Sequence, residues 1–93
     1  MSAMTAREEF EIINALGLHA RAAAQLVKIA NQYPCDVAVE CDGQSVNGKS
    51  IMGVLMLAAA QGMRVAIVCT GGQAQTCVDA IGALIKNRFG EPS

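Results

Sequence analysis

The chain has 93 residues and a formal net charge of −1, with 53% hydrophobic and 16% charged residues. This length accommodates one hydrophobic core, and this composition is typical of a globular domain rather than a disordered chain. With so little net charge, no basic field is available to hold nucleic acid or an anionic membrane. The longest apolar run, residues 51–60, is about half of what a bilayer-spanning helix needs. We therefore expect a protein that binds neither nucleic acid nor a membrane.

Hydrophobic periodicity predicts the elements of the first third of the chain. Residues 1–8 have no periodic pattern and are predicted to be a flexible leader, followed by a first strand over residues 10–16. A helix is expected from His19 to about Gln32, where Ala is abundant and Gly and Pro are absent. The helix should end before Pro34, because a residue that precedes proline avoids the helical region.

A hairpin is predicted next. The segment from Cys35 to Cys41 alternates between apolar and polar residues, as a strand does when one face of an antiparallel sheet is wet. Asp42-Gly43 is a strong signal for a two-residue turn, so the segment from Gln44 to Asn47 should return as a short strand.

Three further elements complete the expected order. They are a short apolar helix over residues 51–61, a strand over residues 63–70 and a helix from about residue 73 to residue 88. The order βαββαβα predicts an α/β (α+β) fold, a two-layer open-faced sandwich in which a four-stranded antiparallel sheet carries three helices on one face. We expect a single domain over residues 9–90, with residues 91–93 as a tail.

The octet GQSVNGKS, residues 43–50, matches the pattern G-x-x-x-x-G-K-[ST] of phosphate-cradling loops. Such a loop follows a buried parallel strand directly, whereas the strand predicted here has one wet face. The four residues between the two glycines are better explained as the second arm of a hairpin, so we reject a nucleotide site. Ser50 is then expected to be a helix N-cap, and a site for phosphorylation at a helix start is the sharper alternative.

The four cysteines favour neither disulfides nor a metal site. The sequence has no C-x-x-C pair, and its single His leaves few ligands. Cys35 and Cys41 would be about 20 Å apart on one strand at ~3.3 Å per residue, which is too far for a disulfide. We expect four reduced, mostly buried thiols in a cytoplasmic protein that uses no cofactor or metal.

His19 is the one histidine of the chain and stands at the start of the first predicted helix. Histidine can act as a neutral nucleophile near pH 7, and the backbone amides of Ala20 and Arg21 would favour an anion beside its ring. The guanidinium of Arg21 adds a permanent positive charge. This combination could carry a phosphoryl group on nitrogen, while a plain capping or surface histidine is the alternative.

Two runs of the sequence resemble a known family. GLHARAAAQLVKIANQY around His19 resembles the signature of HPr, the phosphocarrier of the bacterial phosphotransferase system, and GKSIMGVLMLAAAQG resembles that family's second signature. The resemblance covers about residues 9–90. It implies that His19 accepts a phosphoryl group at Nδ1 from phospho-enzyme I and passes it to an enzyme IIA. It also implies that Arg21 neutralises the phosphate, and that amides of the first helical turn bind it.

The resemblance extends to regulation and has one departure. Ser50 matches the family's regulatory serine, which some lineages phosphorylate through an ATP-dependent HPr kinase/phosphorylase. The family usually has proline directly after the active-site arginine, where this chain has Ala22. Because proline presets a helical φ, we expect its replacement to loosen the loop that holds His19, which puts the rate of transfer in question more than the chemistry.

A docking surface for partners is predicted on the first helix. A helical wheel places an apolar set on the core side (Ala20, Ala23, Ala24, Val27 and Ala30). Ile29 falls nearly opposite, beside Ala22 and near Leu26, and with Met52 of the second helix these residues form the predicted docking surface. Scattered surface hydrophobes are the alternative.

The sequence thus favours a monomeric phosphocarrier that forms a covalent phosphohistidine and turns over no small substrate alone. Two alternatives stay open. One is a nitrogen-type regulatory phosphocarrier, and the other is a small regulatory binding module that is not phosphorylated.

Overall fold

The computed structural model describes residues 4–93, which form four strands, three α-helices and one short 3-10 helix. The elements in chain order are β1 (Thr5–Glu11), α1 (Ala20–Ala30), β2 (Asp36–Cys41), β3 (Gln44–Asn47), α2 (Ile51–Met56), β4 (Arg64–Thr70), α3 (Ala74–Lys86) and the 3-10 helix (Arg88–Gly90). The predicted order βαββαβα is confirmed.

The four strands form one antiparallel sheet in the order β1-β4-β2-β3. Alternate residues of the central strand β4 (Val65, Ile67 and Cys69) are buried in the core that the sheet shares with the helices. Helix α3 packs on β1 and β4, and α1 contacts both α2 and α3. The open-faced sandwich with an antiparallel sheet and three helices is therefore confirmed.

The first strand differs from its predicted bounds at both ends. Strand β1 begins at Thr5, so residues 5–8 belong to the sheet and pair with β4; only residues 1–3 of the predicted leader lie outside the described part. The alternation was hidden because the buried residues Ala6 and Phe10 are separated by three exposed charged residues. The predicted first strand also extended too far, since β1 ends at Glu11 and a loop follows.

Helix α2 is shorter than predicted and ends at Met56 instead of near residue 61. The chain leaves the helix because Ala58 adopts a left-handed conformation with φ of 50°. Ala59 is then buried, and its carbonyl accepts a hydrogen bond from the amide of Leu18 at 2.9 Å. The early helix end thus ties the segment after α2 to the loop before α1.

The octet GQSVNGKS forms a hairpin arm and a helix start, as predicted. Asp42 and Gly43 have φ of 50° and 78°, which suits a two-residue turn, and β3 pairs with β2. A Cβ atom at Gly48 would lie 2.5 Å from the side chain of Val37, so this glycine is required by packing. The glycines that mimic a phosphate loop therefore have structural roles.

Candidate functional site

His19 is the N-cap residue of α1, with an extended backbone conformation at φ of −72° and ψ of 178°. Its carbonyl accepts the first helical hydrogen bond, from the amide of Ala23 at 2.8 Å. Its side chain makes no capping bond and is 27% exposed. The imidazole is therefore free of the helix end and accessible from solvent.

Gly17 sets the path of the chain into α1. Its φ of 66° is in the left-handed region, and a Cβ atom there would lie 2.5 Å from the carbonyl oxygen of Ala59. No other residue type can occupy this position without moving the segment after α2. Gly17 thus turns the chain sharply and fixes where His19 begins the helix.

A carboxylate from the far end of the sequence holds the imidazole. Nε2 of His19 hydrogen-bonds to Oε2 of Glu91, whose side chain is only 12% exposed. The amide of Asn14, which is fully buried, donates to Oε1 of Glu91 at 3.0 Å and to the carbonyl of Gly17 at 2.8 Å. Residues 91–93 thus contact the loop before α1, since the amide of Ala15 also donates to the carbonyl of Ser93 at 3.1 Å.

Glu91 is ionised in this arrangement. The hydrogen bond from His19 lowers the pKa of Glu91 below its ordinary value of 4.5, and the bond from Asn14 and the charge of Arg21 act in the same direction. An ionised carboxylate only accepts hydrogen bonds, so Nε2 of His19 carries a proton. In the neutral ring the lone pair then lies on Nδ1.

Asn14 and Glu91 were not predicted as site residues. Asn14 lies within residues 10–16, which were predicted to form the first strand. Glu91 is 72 residues away from His19, and no spacing pattern connects residues so far apart. A buried polar residue next to a predicted site was the one available signal, because such a residue needs hydrogen-bond partners.

The structure brings the predicted anion-binding groups together beside His19. Ala20 and Arg21 are the first two residues of α1, and Ala22 is the third, so their amides precede the first helical hydrogen bond. The side chain of Arg21 is exposed, and its charge acts on Glu91. The positive N-terminal end of α1 and the guanidinium of Arg21 are thus at the same end of the helix as the imidazole of His19.

Ser50 is the N-cap of α2, as predicted. Its hydroxyl accepts a hydrogen bond from the amide of Gly53 at 3.1 Å. Next to it, the ammonium of Lys49 donates to the carbonyl of Tyr33 at 2.7 Å. The hydroxyl therefore contributes to the start of α2, and the residue is partly exposed.

The predicted docking surface is wrong for Ala22 and Leu26, because both are fully buried. Helix α1 packs against α2 and α3, which turns this side of α1 inward, whereas Ala20 and Ala24 are exposed. Ile29 is partly buried against the core. Of the four predicted residues, Met52 alone is well exposed, at 70%.

The four cysteines are free and buried, as expected. Burial raises the pKa of Cys69 to about 11 and also raises that of Cys77, so both thiols stay protonated at neutral pH. Such thiols are poor nucleophiles. They take no part in the arrangement around His19.

Within residues 4–93, no helix is long and apolar enough to cross a membrane.

Comparison with known proteins shows the family of this chain. The family model described as "PTS HPr component phosphorylation site" matches residues 6–87. A phosphocarrier protein HPr of Cupriavidus necator is 50% identical over 80 residues, which cover 86% of this chain and 90% of that protein. One from Pseudomonas aeruginosa is 50% identical over 84 residues and covers 89% of this chain and 93% of its own length.

A solved structure shows the same fold. HPr from Thermoanaerobacter tengcongensis superposes with a TM-score of 0.91 at 38% identity, covering 95% of this chain and 99% of that one. This chain therefore belongs to the HPr family of phosphocarriers of the phosphotransferase system.

Proposed function

We propose that this protein accepts a phosphoryl group on Nδ1 of His19 from phospho-enzyme I and passes it to an enzyme IIA. The observation that carries the proposal is the contact between Nε2 of His19 and the carboxylate of Glu91. It fixes the tautomer that leaves a lone pair on Nδ1. The ring is partly exposed, so a partner protein can approach it.

In the transfer step, Nδ1 of His19 attacks the phosphorus atom held by the donor. The new N–P bond forms as the bond between phosphorus and the donor's nitrogen breaks, and the donor keeps that electron pair. The ring of His19 then carries the phosphoryl group on Nδ1 and a proton on Nε2, and therefore a positive charge. Glu91 accepts the hydrogen bond from that proton throughout, so its negative charge stabilises the product.

The phosphoryl oxygens need positive partners. The amides of Ala20 and Arg21 at the start of α1 supply them, together with the helix dipole. The guanidinium of Arg21 balances the charge of Glu91 in the resting protein and that of the phosphate after transfer. Backbone amides and a guanidinium, rather than metal ligands, therefore stabilise the phosphoryl anion.

The shape of the molecule favours a protein partner over a small substrate. Two grooves of about 410 and 290 Å³ are found among the described residues, and neither is lined by His19 or Arg21. The larger lies on the open face of the sheet, where arginines and glutamates already pair with each other. His19 lies outside both of these grooves and its ring is partly exposed, which suits transfer between proteins.

Exposed apolar side chains supply the surface for those partners. Met52 and Met56 lie one turn apart on α2 and are 70% and 72% exposed, and Leu16 in the loop before His19 is 70% exposed. Because α2 contacts α1, we propose that phospho-enzyme I and enzyme IIA dock on these three residues and on Ile51. Methionine suits a surface that meets more than one partner.

The transfer is tested by incubating the protein with enzyme I and phosphoenolpyruvate and measuring its intact mass. We expect a gain of one acid-labile phosphate that is absent from His19→Ala and present in Ser50→Ala. A wild-type chain that gains no phosphate, while a known HPr does under the same conditions, contradicts the proposal and supports a regulatory binding module instead.

The docking surface is tested with a matched pair of exposed methionines. Met52→Glu should raise the concentration at which transfer from phospho-enzyme I is half-maximal by roughly tenfold or more, as expected for an interface hot spot. Met4→Glu is the control, because Met4 is 66% exposed at the start of β1. Equal kinetics for the two variants would refute the surface.

We also propose Ser50 as a regulatory phosphorylation site for an HPr kinase/phosphorylase. A phosphate on its oxygen would keep an acceptor at the start of α2 and place negative charge beside Met52 of the docking surface. Ser50→Asp should therefore slow transfer from phospho-enzyme I, whereas Ser50→Ala should not. Incubation with such a kinase and ATP should add an acid-stable phosphate to the wild type but not to Ser50→Asp or Ser50→Ala.

A further inference from the structure

Three of the buried cysteines lie together in the core, away from the arrangement around His19. Cys35 directly precedes β2, Cys69 is in β4 and Cys77 is in the first turns of α3. Their sulfur atoms all lie within 4.8 Å of one another, and the residues are at most 1% exposed. Among the described residues, this is the group whose side chains meet in the way that metal ligands do.

We propose that Cys35, Cys69 and Cys77 form a binding site for one soft monovalent cation, Cu(I), held by three sulfur atoms. A metal–sulfur distance of ~2.3 Å in a trigonal arrangement places the sulfur atoms about 4.0 Å apart. The observed separations reach at most 4.8 Å, so the sulfur atoms need to move by less than about 1 Å. Side-chain rotation supplies such a shift without changing the strands.

The number and type of ligands favour Cu(I) over Zn²⁺. Zinc in structural sites takes four ligands, and the cluster offers three sulfur atoms in an apolar environment. Thiolates are soft ligands that bind both Cu(I) and Zn²⁺, so the count of three ligands is what favours Cu(I) here. A hard cation such as Mg²⁺ or Ca²⁺ is excluded, because it requires oxygen ligands.

A disulfide between Cys35 and Cys69 fits the sheet register poorly. In the sheet register Val37 faces Cys69, so Cys35 is two residues away and diagonal to Cys69. Diagonal neighbours have Cα atoms roughly 7–8 Å apart, whereas a disulfide requires about 4.4–6.8 Å. A metal ion can bridge the sulfur atoms of these two residues at a separation of up to 4.8 Å, which a disulfide bond cannot span.

Charge balance sets the protonation of the bound site. When Cu(I) binds, two thiols release their protons to solvent and the third stays a neutral ligand, so the site carries one net negative charge. Lys49 is the cation whose field acts on Cys69, and its ammonium is held in place by the carbonyl of Tyr33. A single positive charge thus balances the loaded site.

The site was missed from the sequence because its ligands come from three separate elements. The intervals of 34 and 8 residues between the cysteines match no metal-binding motif. The expectation of no metal rested on the missing C-x-x-C pair and on the single His. The fold, not the spacing, brings the three thiols together.

The test is an anaerobic titration of the reduced protein with Cu(I) in the presence of a coloured Cu(I) chelator. We expect one Cu(I) per chain to be taken from the chelator. Cys69→Ala and Cys77→Ala should lower the affinity by roughly 100-fold or more, since even a lost outer-shell partner costs 10–100-fold. Cys41→Ala is the matched control, because Cys41 is also buried but lies outside the cluster, and it should bind as the wild type does.

X-ray absorption at the copper edge of the loaded wild type should show three sulfur neighbours. This measurement needs no variant, so it decides the proposal even if a cysteine variant fails to fold. No copper uptake, a nitrogen neighbour at the metal or an equal loss of affinity in Cys41→Ala would overturn it. The result is independent of phosphoryl transfer, because His19 and Glu91 lie outside the cluster.

Discussion

Replacing Asn14 by Ala tests whether the orientation of His19 depends on a buried hydrogen-bond network. Asn14 is fully buried, and its amide group donates both to the carbonyl of Gly17 and to the carboxylate of Glu91. The substitution removes both bonds at once. We expect a less stable protein and slower phosphorylation of His19, because Glu91 is no longer held against the ring.

The size of the stability loss follows from these contacts. Each donated bond contributes about 0.5–1.5 kcal/mol, so the two together contribute roughly 1–3 kcal/mol. Oδ1 of Asn14 is buried without a partner among the described residues, and its removal offsets part of the loss. We expect a net loss of about 1–2 kcal/mol, which for a domain of this size lowers Tm by roughly 4–16 °C.

Asn14→Asp separates the loss of donors from the loss of volume. It keeps the shape and the buried acceptor but places a second carboxyl group beside Glu91. At neutral pH it should destabilise the fold more than Asn14→Ala does, because like charges 3 Å apart repel. Its deficit should shrink on acidification, since the protonated carboxyl group can again donate a hydrogen bond.

The assay is urea unfolding together with the rate of phosphorylation by enzyme I and phosphoenolpyruvate. Asn31→Ala is the control, because the Asn31 amide also donates to a backbone carbonyl, that of Val27 at 3.0 Å, but at an exposed helix end. It should cost less than about 1 kcal/mol and leave the rate unchanged. If Asn14→Ala is as stable and as fast as Asn31→Ala, the network does not orient His19.

Three further predictions concern the same region. Gly17→Ala should lower the free energy of unfolding by at least about 1–3 kcal/mol, because of its left-handed φ and its contact with Ala59; an unchanged urea midpoint would contradict this. Ala22→Pro should raise the free energy of unfolding by about 0.4–1 kcal/mol and speed transfer, because the Ala22 amide precedes the first helical hydrogen bond and proline removes no bond there. A lower free energy of unfolding would mean that the proline ring does not fit at this buried position. Glu91 has a lowered pKa, so its ionised form stabilises the fold above its ordinary value of 4.5, and this contribution disappears as the pH falls through the lowered value. Stability of the wild type should therefore fall more steeply below pH 4.5 than that of Glu91→Gln, and parallel curves would exclude the effect.

The elements that the sequence predicts well are those with a local cause. The turn at Asp42-Gly43 and the N-cap at Ser50 depend on neighbouring residues, and both appear in the structure where expected. The strand β1 was misplaced because three consecutive charged residues conceal its alternation. Helix α2 was extended too far because its apolar composition continues past the left-handed residue at Ala58.

The residues of the site likewise fall into those that a local motif indicates and those whose burial depends on packing. His19 and Arg21 could be proposed from the sequence because a short motif places both residues at a helix start, and the structure confirms that position. The burial of Ala22 and Leu26 was not predicted, because a wheel of one small-residue helix does not reveal which neighbours cover it. Packing of α1 against both α2 and α3 decides that question.

The position of Glu91 ties the site to the packing of the whole domain. After α3 the chain takes left-handed conformations at Arg88 and Phe89, which cost roughly 1–3 kcal/mol each in non-glycine residues. Burial of the Phe89 side chain, 2% exposed, contributes about 1.5–3 kcal/mol and holds this turn in place. The turn directs Glu91 back to the start of α1, where it meets His19. The tautomer of the histidine is therefore set by the docking of the segment after α3 on the core, so a change that loosens Phe89 should impair phosphorylation without touching α1.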